Sequence, residues 1–381
     1  LIHSLIHFEE KKMRIYITAL LLIGYSTVFD LTGDNWFVAH AEEISNIEES
    51  TRAVELLGSP VDVGNRAQLF VDRLLVREAA GVAFTQHQGK KHPNNPLIRA
   101  DQPWEGWRLE IFGNVIYDTE EKIFKMWYIG ESSQDFPDYA TMYATSNDGV
   151  HWEKPLVGTV ESKRGGKHNA VAEGYLLASV IKDQADPDPK RRYKMVCWRQ
   201  KQPYGAQSMV SPDGLHWTQV TEKPICTSSD VITGFYDRNR DLYVAFPKLN
   251  TTVQGQERRC FGLTLSRDFT NWTPSRLVLV PDARDDAGSL SRIEQVRPIL
   301  DRPDDPKLMR TEFYGVGVYP AESCTIAFPW VLTINNNARW GNHEGQWRGS
   351  DFQGVLAQRQ SDIETLYTTP DWQTALAILE S

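Results

Sequence analysis

One short motif recurs along this chain, and its recurrence limits the folds open to it more than any other feature. It reads Ser146-Asn147-Asp148-Gly149-Val150-His151-Trp152, then Ser211-Pro212-Asp213-Gly214-Leu215-His216-Trp217, and more loosely Ser266-Arg267-Asp268-Phe269-Thr270-Asn271-Trp272. The tryptophans stand 65 and 55 residues apart. A repeat of that length is one supersecondary unit whose apolar face must be covered by its neighbours, so the copies must stack. Asp-Gly supplies a tight turn with a left-handed glycine. The Ser and Asp side chains accept from nearby backbone N–H groups, and the Trp plugs the gap between successive sheets. The motif is therefore structural and does not by itself signal chemistry.

Between the copies, short runs rich in Val, Ile, Tyr, Phe and Trp alternate with Asp, Asn, Gly and Pro clusters, and no long segment keeps a helical period. An all-β chain is expected. Strands fall at residues 124–130, 192–198, 241–246 and 324–328. Each is preceded by another strand ending in an acidic or polar turn, at 114–118, 177–183, 234–237 and 314–319. Three or four strands per unit is the pattern of a β-propeller blade. Four units lie between Glu110 and the C-terminus, and residues 68–76 and 82–87 could close the ring against residues 354–358. That makes a five-bladed β-propeller, with four blades as the alternative, over residues 59–381.

The rest of the chain narrows the setting. Fifty acidic against 41 basic side chains leave a formal charge of −9, which argues against a nucleic-acid phosphate backbone as the main partner. Four cysteines, Cys197, Cys226, Cys260 and Cys324, lack any CxxC spacing, so no zinc knuckle or dense disulfide scaffold is indicated, although one or two bridges remain open. No cofactor or metal motif is present; a structural Ca2+ in the channel is conceivable but unmarked. From Met13 the layout is that of a secretory signal, with Arg14, an apolar run at residues 15–25 and Ala39-His40-Ala41 before Glu42. Residues 1–41 read as an upstream extension plus signal peptide, with a buried helix or uncleaved anchor as the alternative. Residues 42–58 read as a loosely ordered lead-in. A secreted or periplasmic monomer without membrane association after cleavage is expected.

Several local strings resemble the five-bladed propeller glycoside hydrolases, the superfamily of families 32, 43, 62 and 68, and in particular bacterial secreted family-32-like or family-43-like members. They are Gln68-Leu69-Phe70-Val71-Asp72, His92-Pro93-Asn94-Asn95-Pro96-Leu97, Pro103-Trp104-Glu105-Gly106, Met126-Trp127-Tyr128, Arg192-Tyr193-Lys194-Met195 and the turn motifs above. The family-32 Trp-x-Asn-Asp-Pro-Asn-Gly segment and its Arg-Asp-Pro are absent, so fructosidase activity is not implied. The resemblance implies a carbohydrate substrate and hydrolysis between two carboxyl groups, one the acid and one the base or nucleophile. In such a fold the first strand of each blade lines the channel, so acids at its start converge.

Four positions meet that condition: Glu110, Glu173, Asp230 and Glu312. Asp230 matches the place where family 43 carries an inner-strand aspartate, and the alternative is a turn residue bonding backbone N–H groups. Glu110 is assigned as base and Glu312 as acid. Asn169 competes with Glu173 as the channel residue of its blade. Trp104 and Trp107 could offer a sugar platform or simply fill the core. Glu105 and Glu322 are reserve acids, while Arg108, His168 and Arg297 could donate to hydroxyl or carboxylate groups of a substrate. Two other functions stay open: a carbohydrate-binding propeller without catalysis, and a sialidase-like or phosphorolytic one, for which the basic residues 163–167 are a faint mark.

Overall fold

The protein was analysed as a computed structural model. It describes residues 7–9, 12–17 and 27–30, and residues 64–335 apart from 72–75, 77–78, 86, 88, 107, 132–138, 162–165 and 296–308. Strands β1 (His7–Glu9), β2 (Lys12–Ile17) and β3 (Thr27–Asp30) form a small antiparallel sheet of their own. The expected cleavage site and the closing residues 354–358 lie outside the described residues. The described residues between 64 and 87 carry no strand, so the closing strands expected there are not seen. Instead this segment docks on the turn near residue 322, where the Ala67 N–H donates to the Glu322 carboxylate at 2.8 Å.

Four antiparallel sheets follow one another. The first blade is built from β4 (Arg108–Glu110), β5 (Val115–Asp118), β6 (Ile123–Glu131), β7 (Tyr139–Ser146) and β8 (Ala170–Glu173). β4 and β5 are two halves of one inner strand, both paired with β6. The second blade runs β9 (Tyr175–Lys182), β10 (Tyr193–Arg199), β11 (Gly205–Ser211) and β12 (Thr218–Gln219). In the third, β13 (Ile232–Asp237), β14 (Leu242–Val253), β15 (Gln256–Ser266) and β16 (Arg276–Leu279) follow the same order. The fourth shows β17 (Met309–Pro320) and β18 (Thr325–Asn335). Each sheet is a meander, and the first strands of successive sheets pack side by side. This is the arrangement of propeller blades.

The core lies between the blades. Trp127 and Tyr143 of the first meet Tyr193, Met195 and Met209 of the second, and Val196 of the second meets Ile232, Tyr243 and Phe269 of the third. Third and fourth are joined by Val244, Phe246, Phe261, Phe313 and Val316. Because side chains alternate along a strand, each blade offers one apolar row to each neighbour.

The recurring turn behaves as its chemistry requires. Ser146 Oγ accepts from the N–H of Gly149 at 2.9 Å, and Asp148 Oδ1 accepts from those of Val150 and His151 at 2.8 Å. The second copy repeats this from Ser211 and Asp213. Gly149 and Gly214 have φ of +75° and +80°. In the third copy Phe269 holds φ +61° at the glycine place, and its ring is fully buried against Tyr243 and Trp272.

A second repeat ties blade to blade. An aspartate at the far end of an inner strand accepts from a lysine on the next strand and from a tyrosine of the following blade. Lys125 Nζ reaches Asp118 at 2.8 Å and Tyr193 Oη reaches it at 3.0 Å. Lys194 Nζ lies 2.8 Å and Tyr243 Oη 2.5 Å from Asp183.

A helix departs from the all-strand expectation: α1 (Ala283–Gln295) packs on the start of β17. Asp282 Oδ1 accepts from the N–H groups of Arg284 and Asp285, while Asp285 returns a bond to the Asp282 N–H at 2.8 Å, a reciprocal N-terminal box. No helix among the described residues is long and apolar enough to cross a membrane. All four cysteines are free thiols, so no bridge forms among them.

Candidate functional site

The inner strands all run in one sense, which places Glu110, Asp230 and Glu312 on one rim and Asp118, Asp183, Asp237 and Glu322 on the other. The three acids assigned to catalysis come from three blades; Glu312 stands two residues before Tyr314 of β17, and Asp230 and Glu110 both act on the Tyr314 hydroxyl through their charge. Burial pushes the Tyr314 hydroxyl pKa up. The charges of Asp230 and Glu110 push it further, against the opposing pull of Arg259 and Arg108. Lys248 of β14 lies with its ammonium 4.2 Å from the centre of the Tyr314 ring, and the Arg259 guanidinium of β15 lies 5.2 Å from it. Phe112 stands 6.0 Å from Tyr314 and 5.1 Å from Trp330 between ring centroids. The half-exposed Trp330 thus extends an aromatic wall beside the charges. Gly315 permits this, because a Cβ there would come within 2.8 Å of the Trp330 indole.

Each acid has a different environment. Asp230 precedes β13, accepts from the Val231 N–H at 2.7 Å and is ion-paired with Lys248, yet its side chain is 44% exposed. The backbone bond expected of a turn residue is thus present, beside a partly exposed carboxylate. Glu110 ends β4 and pairs with Arg108 at 3.2 Å, its side chain 28% exposed. Glu312 lies inside β17 rather than before it and is buried. Arg259 holds one of its oxygens at 2.5 Å and Arg310 the other at 2.7 Å. A carboxylate with both oxygens taken by guanidinium groups has no free oxygen from which to deliver a proton, which corrects the expected acid role of Glu312. It orients Arg259 instead. Lys248 is 1% exposed, and burial drives its pKa down against the pull of Asp230.

Lys248, Arg259 and Tyr314 were not singled out from the sequence. They lie on the second and third strands of one blade and the first of the next, and only the β14–β15 register, with Lys248 opposite Phe261 and Asn250 opposite Arg259, brings them to one place.

Other expected site residues stand elsewhere. Trp104, Glu105 and Asn169 interlock in a buried network of the first blade. Trp104 Nε1 donates to Asn169 Oδ1 at 2.8 Å, Asn169 Nδ2 to Tyr128 Oη at 2.7 Å, and Tyr128 Oη to Glu105 Oε1 at 2.7 Å. Glu105 is fully buried, and its other oxygen accepts from Lys154 and from the Asp101 and Gln102 N–H groups. With both oxygens so engaged it fastens a loop and is not a reserve acid. His168 is buried beside them, accepting from the Ala170 N–H at 3.2 Å. Glu173 ends β8, half-buried. Glu322 is exposed beyond Pro320, on the other rim. Six residues of strand separate Tyr314 from Pro320, roughly 20 Å, so Glu322 cannot share the Tyr314 site. Trp107 and Arg297 lie outside the described residues, as do residues 163–165 of the basic stretch.

A cavity of about 610 Å³ opens between β5, β9 and β13, lined by Asn114, Val180, Lys182, Gly234, Tyr236 and Arg238. It lies toward the Asp118 rim and contains none of the three rim acids. Among the described residues, no three acidic, His or Cys side chains gather as a metal site.

No protein-family model matches the chain, and no curated protein matches it either. Similar solved structures include a β-fructofuranosidase from Schwanniomyces occidentalis bound to fructosylnystose, at 17% identity and TM-score 0.32, over 44% of this chain and 33% of that one. An exo-inulinase from Aspergillus awamori matches at 12% identity and TM-score 0.33, over 48% and 41%. An N-acetylgalactosamine deacetylase from F. plautii, bound to blood group B trisaccharide, matches at 15% identity and TM-score 0.32, over 57% and 70%. The match thus spans about a third of the fructofuranosidase. Identities this low say nothing about which residues react here.

Proposed function

We propose that this protein is a glycoside hydrolase acting on a poly- or oligosaccharide at the Tyr314 rim of the propeller. The supporting observation is that Glu110, Asp230 and Glu312 come from three separate blades on one rim, Asp230 and Glu312 being paired with the two cations, Lys248 and Arg259, that lie over the Tyr314 ring. Of these three, Glu110 and Asp230 have the greater solvent access, 28% and 44% against 3% for Glu312, so they form the reacting pair. Asp230, ion-paired with Lys248, serves as base or nucleophile. Glu110, the expected base, supplies the second carboxyl group across the scissile bond. Phe112, Tyr314 and Trp330 supply apolar faces against which sugar C–H groups pack. Five blades over residues 59–381, export by the segment beginning at Met13 and a monomeric state belong to the same proposal. N-terminal sequencing of the mature protein tests the export.

A second reading, binding without turnover, is favoured by one observation: every rim acid is ion-paired. Release of reducing ends from a polysaccharide and aryl-glycoside panel decides between the two. Hydrolysis by the wild type, falling at least about a thousandfold in Asp230→Asn and in Glu110→Gln with binding retained, supports the enzyme. Wild-type binding with no product, or full activity in both variants, refutes it.

A further inference from the structure

Tyr314 is placed by an irregularity of its own strand. Phe313 and Val316 of β17 both enter the core between the third and fourth blades, although they stand three residues apart and strict alternation would send them to opposite faces. A β-bulge is the cause. Phe313 pairs with Val331 and Val316 with Pro329, so Tyr314 and Gly315 together face the single residue Trp330. A bulge disrupts the ladder locally and re-aims the side chain it carries, and bulges are over-represented beside active sites. Here the re-aimed side chain stands at the rim of Asp230 and Glu110.

The ring and the hydroxyl of Tyr314 have different surroundings. Lys248 and Arg259 lie over the ring at 4.2 and 5.2 Å, and Phe112 stands 6.0 Å away. The hydroxyl has no hydrogen-bond partner among the described residues and is not sealed from solvent. Tyr175 and Tyr236, elsewhere on the inner strands, give theirs to Gln219 and Asp241. Burial, and then the charges of Asp230 and Glu110, keep the Tyr314 hydroxyl protonated at neutral pH, a donor and not a phenolate. We propose that this hydroxyl is a further substrate contact, donating a hydrogen bond to an oxygen of the sugar that Asp230 and Glu110 flank. The place of the sugar rests on the hydrolase reading, to which this adds a residue. A neutral donor beside the apolar wall of Phe112 and Trp330 suits a ligand with both C–H faces and oxygen acceptors, and a neutral sugar oxygen accepts from it without disturbing the neighbouring ion pairs.

Tyr314→Phe removes the hydroxyl and keeps the ring. Because no described residue bonds that hydroxyl, the melting temperature should stay within a few degrees of wild type. Binding is measured by calorimetry with hexaoses of xylose, arabinose, mannose, galactose and fructose, and turnover with the aryl-glycoside panel. The hexaose that wild type binds should bind the variant about tenfold more weakly, the range of one neutral hydrogen bond. Where wild type hydrolyses, kcat/KM should fall by a similar factor, and equally at pH 6 and pH 9, because the hydroxyl stays protonated between them. A loss that grows with pH marks a phenolate and overturns the donor role. A large fall in melting temperature shows the hydroxyl engaged by the fold and overturns it too. Unchanged binding and turnover in the variant overturn the contact and leave the hydrolase reading standing. Weaker binding by the variant, where wild type binds without turnover, supports the contact and overturns the hydrolase. A wild type that neither binds nor hydrolyses any of these sugars overturns both.

Discussion

Asp230→Asn is the natural test of catalysis, and it is also a test of the buried cation beneath the site. Lys248 is 1% exposed, and its described carboxylate partner is Asp230. Removing one member of a fully buried ion pair costs about 3–5 kcal/mol, because the remaining charge loses its compensation. Asp230 is 44% exposed, so water already screens part of that attraction and the cost falls to about 2 kcal/mol. For a domain of this size that corresponds to a fall in melting temperature of roughly 4–8 °C. The loss depends on pH in a definite direction. Burial depresses the Lys248 pKa below its usual 10.5, so the unfolded chain holds more protons than the folded one through the window between the two values, and stability rises with pH across it. Asn at 230 removes the opposing pull, deepens the depression and widens the window. The melting temperature of Asp230→Asn, measured from pH 6 to pH 10, should therefore climb toward the wild-type curve as pH rises. Adding Lys248→Met should restore most of the lost stability at pH 7 without restoring turnover. A variant as stable as wild type at pH 6 would refute the buried pair, and with it the role given to Lys248. Activity losses in Asp230→Asn are accordingly to be read on folded protein at pH 8 or above.

Two further outcomes follow from the blade packing. Phe269→Gly relieves a left-handed backbone, worth about 1–2 kcal/mol, but empties a fully buried aromatic site worth about 3–5 kcal/mol. Chemical denaturation should show a net loss of about 2 kcal/mol, and a gain would mean that backbone strain governs this turn. At the blade latch, Tyr193→Phe should cost about 1 kcal/mol, since Asp118 keeps Lys125 and Lys182, whereas Asp118→Ala should cost about 3 kcal/mol by removing the buried acceptor shared by Lys125, Lys182 and Tyr193 and leaving Lys125 with Glu121 as its carboxylate partner. Burial alone would raise the Asp118 pKa, but the two lysines and the Glu121 N–H outweigh it and hold it well below 3.8. Its contribution is therefore complete above that pH and lost progressively in acid, so the acid limbs of Asp118→Ala and wild type should converge.

The parts of this architecture that could be read from the sequence are those whose causes are local. A Ser, an Asp and a Gly within four residues already contain all the donors and acceptors of the turn they build, so Ser146–Gly149 and Ser211–Gly214 were legible residue by residue. The rim acids were legible at one remove. Inner strands recur with a fixed sense, so an acid near the start of each falls at the same end; Asp230 stands before β13, while Glu110 is already the last residue of β4. The rule slips by three residues at Glu312, because β17 begins earlier than its apolar run suggests. Helix α1 was hidden for the opposite reason. It carries few apolar residues, and its clearest local mark is the Asp282–Asp285 box.

What the sequence could not show is pairing across distance. Arg259 and Glu312 are 53 residues apart, Trp104 and Asn169 are 65 apart, and whether an acid is spent on structure or left for chemistry depends on such partners. Glu105 and Glu110 illustrate the point. Both are acids beside tryptophan-rich sequence at the same blade edge, and nothing local ranks one above the other. Glu105 is fully buried and engaged by Lys154, Tyr128 and two backbone N–H groups, while Glu110 pairs with Arg108 and its side chain is 28% exposed. Catalytic acids are thus distinguished from structural ones by which donors the fold leaves unspent around them.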